Sequence, residues 1–354
     1  MPTQTPAQEF QSEINSLKSK VKTLQDGVNL RSVRDTLEDN QTTVNSMGER
    51  IKEIRQNGYV FEKNLESQAS DLVAQLHLIL PNIRKQIDIQ STSLSTMLRS
   101  IESRLPSLSS SASNQPLTQK NLKSMKSSVS TLESKISSVE GTISGMYDKL
   151  RASIHKIDQH LDEIEWMLKQ ISEAPFSLLP TESGIMAVKS EWFKSGKEEK
   201  TDPEGILYLT DQRLLFEQKE EIATKKILFI ATEKKKIQEL LLEIPVELIK
   251  EVHTSKQGVF KNEDHLDITL ETGAQVHTAH FHIWQDCSLW QTYINNARTK
   301  EFDKDRVSEI DEEILKKTRS APTECPNCGG KLDQVILRGM DSITCKYCGV
   351  ITRL

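Results

Sequence analysis

Aromatic side chains are scarce in this sequence, 5% of 354 residues, and hydrophobic residues of every kind reach only 36%. So long a chain with so little aromatic content does not close around one large core; part of it must bury apolar surface in narrow stripes. The shortage is uneven, because all four Trp lie at or beyond Trp166. No apolar run approaches the about 18 residues that a membrane-crossing helix requires. Met1 to Phe10 lacks the basic-then-apolar pattern of a secretory leader. Cysteine is sparse as well: four of the five sit in two Cys-x-x-Cys pairs and Cys287 stands alone. That usage suits metal binding in a reducing compartment rather than a disulfide framework. A formal net charge of -5 supplies no overall field for nucleic acid. No nucleophile elbow, phosphate-binding loop, dinucleotide fingerprint or kinase signature occurs. The expectation is a cytoplasmic, non-enzymatic protein, at most peripheral to a membrane.

What the chain does have is heptad patterning. Leu122, Met125, Val129, Leu132, Ile136, Val139, Ile143 and Met146 step by three and four, and so do Leu150, Ile154, Ile157, Leu161, Ile164, Leu168 and Ile171. One apolar seam on a polar helix is a coiled-coil signal. The four-four step through Met146, Leu150 and Ile154 predicts a local unwinding. Two earlier series, Ile14 to Ile54 and Leu65 to Leu105, repeat the pattern. Asn57-Gly58 reads as a stop between them. Pro81 predicts a kink or break near Leu80, residues 106–116 a Ser-rich loop, and Thr118 an N-cap. Residues 9–173 thus read as all-α, three long helices at about 9–56, 60–105 and 118–173. They pack within one chain or against a second copy, with Asn40, Gln68 and Gln90 as polar seam positions open to a partner.

From Gly184 the period changes from helical to alternating. Strands are predicted at Ile185–Val188 with Trp192-Phe193, in the run GILYLTDQRLLFE (205–217), and at 226–231, 248–253, 266–270 and 275–283. An amphipathic helix, Trp284 to Arg298, follows, which makes an α+β unit. The run G-x-L-x-L-T-x-x-R-L-L-F, then Ile244-Pro245, a hairpin with LDITLETG, and a Trp-bearing terminal helix resemble bacterial PH-like and GRAM-type domains over residues 178–300. The resemblance implies a seven-stranded, strongly bent sheet closed by a C-terminal helix, used to dock acidic lipid or protein. The long segment 218–243 departs from the compact form of that family. Lys225, Lys226, Lys234, Lys235, Lys236, Lys256 and Lys261 are candidate contacts for an anionic surface, although glutamates are interleaved with them. His253, His265, His277, His280 and His282 gather here too; His280 and His282 share a strand face, and a row of strand histidines is the expected reading. Cys287 is expected as a small buried side chain on the closing helix.

Residues 303–320 read as a short polar helix and linker. Beyond them Cys325-Pro-Asn-Cys328-Gly and Cys345-Lys-Tyr-Cys348-Gly are separated by 16 residues. Four cysteines so spaced supply tetrahedral zinc with a complete ligand set and leave no position for an activated water. Residues 323–354 resemble the zinc-ribbon family, with strand character at 332–337 and 342–344. About thirty residues cannot build a core alone, so a single structural Zn2+ held by Cys325, Cys328, Cys345 and Cys348 is expected to fold the tail. Lys331, Arg338, Lys346 and Arg353 against three acids are too few for strong phosphate contact. The functional expectation is therefore a scaffold or adaptor. It assembles through a coiled coil and docks to protein or membrane partners through the PH/GRAM-like domain and the zinc ribbon. The alternative is a nucleic-acid-associated factor with the ribbon as reader and the coiled coil as dimeriser.

Overall fold

The computed structural model describes residues 6–110, 115–227 and 230–354, with the backbone alone at a few positions beside the gaps. An N-terminal helical part precedes an antiparallel sheet domain. The chain divides into two compact units, Met1–Gly48 with Glu66–Asp158, and Glu49–Leu65 with Gln159–Leu354.

The helices are α1 (Pro6–Val28), α2 (Arg31–Gln56), α3 (Leu65–Glu102), α4 (Leu105–Ser110), α5 (Gln115–Gly145) and α6 (Asp148–Glu173). Their apolar stripes are buried within the single chain: Ile14, Leu17, Val21, Val44, Met47, Leu76, Ile83, Leu94, Val129 and Leu132 are each at most 3% exposed. Ion pairs rim the first unit, among them Arg34–Asp88 at 2.9 Å and Lys126–Glu13 at 3.1 Å.

Several helix boundaries differ from the sequence reading. The stretch expected at 9–56 breaks at Asn29-Leu30, where Leu30 takes φ +51 while its side chain stays fully buried. The second helix starts at Leu65, after a loop, and not at 60. It runs unbroken through Pro81, because buried Leu76, Leu80, Ile83 and Ile87 hold both sides of it in one stripe. Leu80 and Leu98 take the buried places assigned to Ile79 and Met97. Part of the Ser-rich stretch is helical as α4, and 111–114 lie outside the described residues. Thr118 lies inside α5 rather than at its cap. The four-four step is a helix break at Met146-Tyr147; Tyr147 turns in at 3% exposure and Met146 turns out at 38%.

In the second unit seven strands, β1 (Gly184–Trp192), β2 (Glu204–Thr210), β3 (Arg213–Ile227), β4 (Ile230–Pro245), β5 (Ile249–Gln257), β6 (Glu263–Leu270) and β7 (Thr278–Ile283), form one antiparallel sheet. Their order is β4-β3-β2-β1-β7-β6-β5. The outermost strands are consecutive in sequence, joined only by the 3-10 turn Val246–Leu248. Four residues reach about 14 Å, whereas six flat strand spacings measure about 29 Å. The sheet therefore curls until its edges approach, as the family resemblance implies. The segment 218–243 is a long β3–β4 hairpin, with 228 and 229 outside the described residues.

Both faces of β2 and of β3 as far as Glu217 are covered, which explains why GILYLTDQRLLFE is a continuous apolar run rather than an alternating one. Leu207, Leu209, Leu214 and Phe216 are buried on one side. On the other, Ile206, Tyr208 and Leu215 pack against Trp166, Ile171, Ala174 and Phe176 at the end of α6. Helix α7 (Cys287–Arg298), capped by Asp286, buries Trp290, Ile294 and Ala297. Residues 301–305 form a 3-10 turn and α8 spans Glu312–Arg319, shorter than the helical linker expected at 303–320. In the tail β8 (Ser342–Thr344) pairs with β9 (Ile351–Arg353); residues 332–337 are not a strand.

Candidate metal centre

Each Cys-x-x-Cys pair is folded by its own backbone. Gly329 N–H donates to Cys325 O at 2.9 Å and Cys325 N–H to Gly330 O at 2.8 Å; Gly349 to Cys345 and Cys345 to Val350 repeat the pattern at 2.8 and 2.9 Å. Gly329 and Gly349 sit at φ +65 and +70, where a side chain would be strained. The ring of Tyr347 occupies the space beside Gly330, 2.5 Å from where a Cβ would lie.

These two turns bring the four cysteines together. Cys325 and Cys348 Sγ are 3.6 Å apart and Cys328 and Cys345 Sγ 3.7 Å, with all four sulfurs within 4.8 Å of one another. A tetrahedron of sulfurs about 2.3 Å from a metal has edges of about 3.8 Å, so the set has the dimensions of a tetrathiolate cage. Backbone donation from Val350, then the Asn327 amide, pulls the Cys348 thiol down to about 6. A thiol so placed releases its proton readily when its sulfur binds a metal.

The loop between the pairs is fastened to the sheet. Arg338 is 9% exposed. Its guanidinium donates to Asp211 at 2.6 Å and to both oxygens of Asp303 at 3.0 Å. Gln212 brackets the Arg338 backbone, accepting from its N–H at 2.6 Å and donating to its carbonyl at 3.2 Å. Arg306 reaches the same Asp211 oxygen at 2.8 Å. The other Asp211 oxygen accepts the Ser183 N–H at 3.0 Å. Burial pushes the Asp211 carboxyl up to about 6, against the opposing pull of the Ser183 amide and the two arginines. This cluster sits at the β2–β3 turn, where Glu182 and Arg213 also pair.

Arg338 is thus spent internally, and Lys346 pairs with Asp333 at 2.8 Å. Two of the four basic residues considered for phosphate contact are engaged within the chain. Of the histidines, His265, His280 and His282 come together and His253 does not; it lies beside Glu251. His265 Nδ1 and His280 Nε2 are 3.1 Å apart, and Asp267 holds His280 Nδ1. Phe193 stacks on His280 with centroids 5.3 Å apart. That carboxylate partner was not foreseen, and burial depresses the His265 pKa. Among the described residues this triad forms no three-ligand metal group. Cys287 is buried at the start of α7, where its N–H donates to Asp264 at 2.8 Å.

Lys225 and Lys226 belong to β3 and Lys234, Lys235 and Lys236 to β4; in the register Lys225 is opposite Glu233 and Lys236 opposite Glu221, whereas Lys226, Lys234 and Lys235 are opposite Ala231, Ala223 and Ile222. Lys225, Lys226 and Lys234 are described by backbone alone. Lys256 is paired with Asp264 at 2.5 Å.

No protein-family model matches the chain, and no curated protein does. Solved structures with a formal likeness include the PDZ-RhoGEF DH/PH domains in complex with GTP-gamma-S-activated RhoA. That match has 12% identity and a TM-score of 0.26, covering 84% of this chain and 96% of that one. The DH/PH domains of p115-RhoGEF match at 13% identity and a TM-score of 0.22 over 84% and 95%. A DH/PH fragment of PDZRHOGEF with human RhoA matches at 12% and 0.25 over 82% and 92%.

Proposed function

We propose that this chain is a non-enzymatic adaptor in which an internal helical bundle carries a PH/GRAM-like docking domain, braced by a structural zinc ribbon. The reading rests chiefly on the Arg338–Asp211 clamp. A tail that depends on metal for its fold and buries its central arginine in the sheet domain is a structural part of that domain. Cys325, Cys328, Cys345 and Cys348 would hold one Zn2+; with four thiolates the ion's role is to fix the loop that presents Arg338. Lipid or protein is then met by the sheet domain, and phosphate recognition by the ribbon has little free charge to use.

The test uses the full chain. Metal analysis should find one zinc per chain. Chelation, or Cys345→Ser, should release it and accelerate amide exchange at Arg338 and Ser183. Arg338→Met should produce the same acceleration while zinc stays bound, at a cost of about 1.5–3 kcal/mol, since Asp211 keeps Arg306 and the Ser183 N–H. Slow exchange persisting at both amides after chelation would remove the brace from the proposal. Nucleic-acid binding that falls steeply with salt would replace the adaptor reading.

A further inference from the structure

The β5–β6 turn breaks the ordinary rule for turn chemistry. Val259 and Phe260 are 92% and 87% exposed, the most exposed large apolar side chains among the described residues. They are the two central residues of a turn closed by Lys261 N–H donating to Gly258 O at 3.1 Å. Such positions usually carry Gly, Asn, Asp or Ser. Both corners are fixed: Gly258 takes φ +80 and Lys261 φ +53, and a Cβ on Gly258 would lie 2.5 Å from the Glu263 carboxylate. The turn therefore holds both side chains at the apex of the hairpin rather than folding them back.

The register shows what else lies at this end of the sheet. Gln257 pairs with Glu263, and Asp264 pairs with Ile283, the last residue of β7. The next residue is Trp284, 56% exposed. Val259, Phe260 and Trp284 thus share the end where β5 and β7 stop and β6 begins. Lys256 and Lys261 flank the turn; Lys256 is neutralised by Asp264, and Lys261 has no carboxylate partner among the described residues.

We infer that this end of the sheet inserts into the interfacial region of a lipid bilayer, with Val259 and Phe260 entering first and Trp284 at headgroup depth. The inference rests on the docking reading above and names its partner and its contact point. A bilayer fits better than a protein for reasons of area and shape. One aromatic side chain buries about 150–250 Å², and two residues on a convex tip fall far below the roughly 800 Å² per partner of a stable protein interface. A bilayer imposes no such threshold, since each apolar side chain gains independently on entry. Exposed Trp is the residue type enriched at membrane interfaces. The charges near the tip, Lys256 and Lys261 against Glu263 and Asp264, nearly cancel. Binding should therefore persist on zwitterionic vesicles and strengthen only modestly with acidic lipid.

The experiment is vesicle flotation of the zinc-loaded full chain on phosphatidylcholine, alone and mixed with phosphatidylserine, beside the variant Val259→Ser/Phe260→Ser. Wild type should float with both compositions, and the variant's affinity should fall by at least about tenfold, since each lost side chain removes an independent apolar gain. Phe260→Trp adds a reporter whose extra emission should be quenched by acyl-chain-brominated phosphatidylcholine. If the wild type floats but the double variant floats equally, or the added indole is not quenched, the tip is wrong and membrane docking by another surface stands. Flotation that requires phosphatidylserine overturns the apolar tip in favour of a charged surface. If nothing floats, the tip is overturned, and the docking reading passes to protein partners.

Discussion

His160 shows how a single titratable side chain ties a loop to a helix. From α6 its Nε2 meets Glu62 Oε1 at 2.7 Å, and Glu62 also accepts from the Tyr59 hydroxyl at 2.8 Å. Hydrogen bonding to Glu163 first, then to Glu62, raises the imidazole from 6.5 to about 9. A pKa raised on folding means that the protonated form is bound more tightly in the native state. The stabilisation is fully present below 6.5 and is lost as pH rises through about 9. His160→Gln should accordingly be less stable than wild type at pH 6, and the gap in melting temperature should close between pH 7 and pH 10. A gap independent of pH would mean that packing, not charge, holds the 57–64 loop. Residues of this kind were invisible in the sequence because their partners are remote: Glu62 lies 98 positions from His160, and Asp211 lies 127 from Arg338. The cysteines were legible because each knuckle is local, a Cys-x-x-Cys-Gly turn whose hydrogen bonds close within five residues. Val259 and Phe260 carry no periodic signal in the sequence, so nothing local marks them out.

At the scale of elements, Pro81 separates local preference from tertiary packing. It stands exposed inside α3, a helix of 38 residues. Proline there removes an amide donor and crowds the preceding turn, a cost of about 3 kcal/mol relative to Ala. The helix forms regardless because Leu76, Leu80, Ile83 and Ile87 bury a continuous stripe on either side of it. If packing overrides an intrinsic penalty, relieving the penalty should show. Pro81→Ala should raise the stability of the first unit by about 1–3 kcal/mol, read as a higher denaturant midpoint with an unchanged slope. A lower midpoint would mean that α3 needs the proline's geometry. The same contest between local and tertiary forces explains which elements could be read in advance. Heptad stripes fixed the existence of the helices, but breaks at Leu30 and Met146-Tyr147 are set by what each residue packs against. The run 205–217 shows its two strands, and the β3–β4 hairpin was obscured because runs of Lys and Glu interrupt 217–239 and leave no apolar alternation.

Taken whole, the molecule joins two compact units that bury different kinds of surface, a helical seam in one and a curled sheet with its clamped tail in the other. Because the seams are covered within a single chain, a solution mass near 40.2 kDa is expected. Independent cores also predict independent unfolding. Leu132 and Ile136, 0% and 6% exposed, lie in the seam of the first unit. Changing both to Asp places unpaired carboxylates where nothing solvates them, a cost of several kcal/mol each, enough to unfold a unit of ordinary stability. Calorimetry of the wild type should resolve two transitions, since the two-state assumption fails for chains with separate cores. In the double variant the first unit's transition should vanish and much of the helical circular dichroism with it, while zinc content and the slow exchange at Arg338 remain. Loss of zinc or of that exchange protection would show that the sheet domain and its metal centre depend on the bundle, and that the chain folds as one cooperative body.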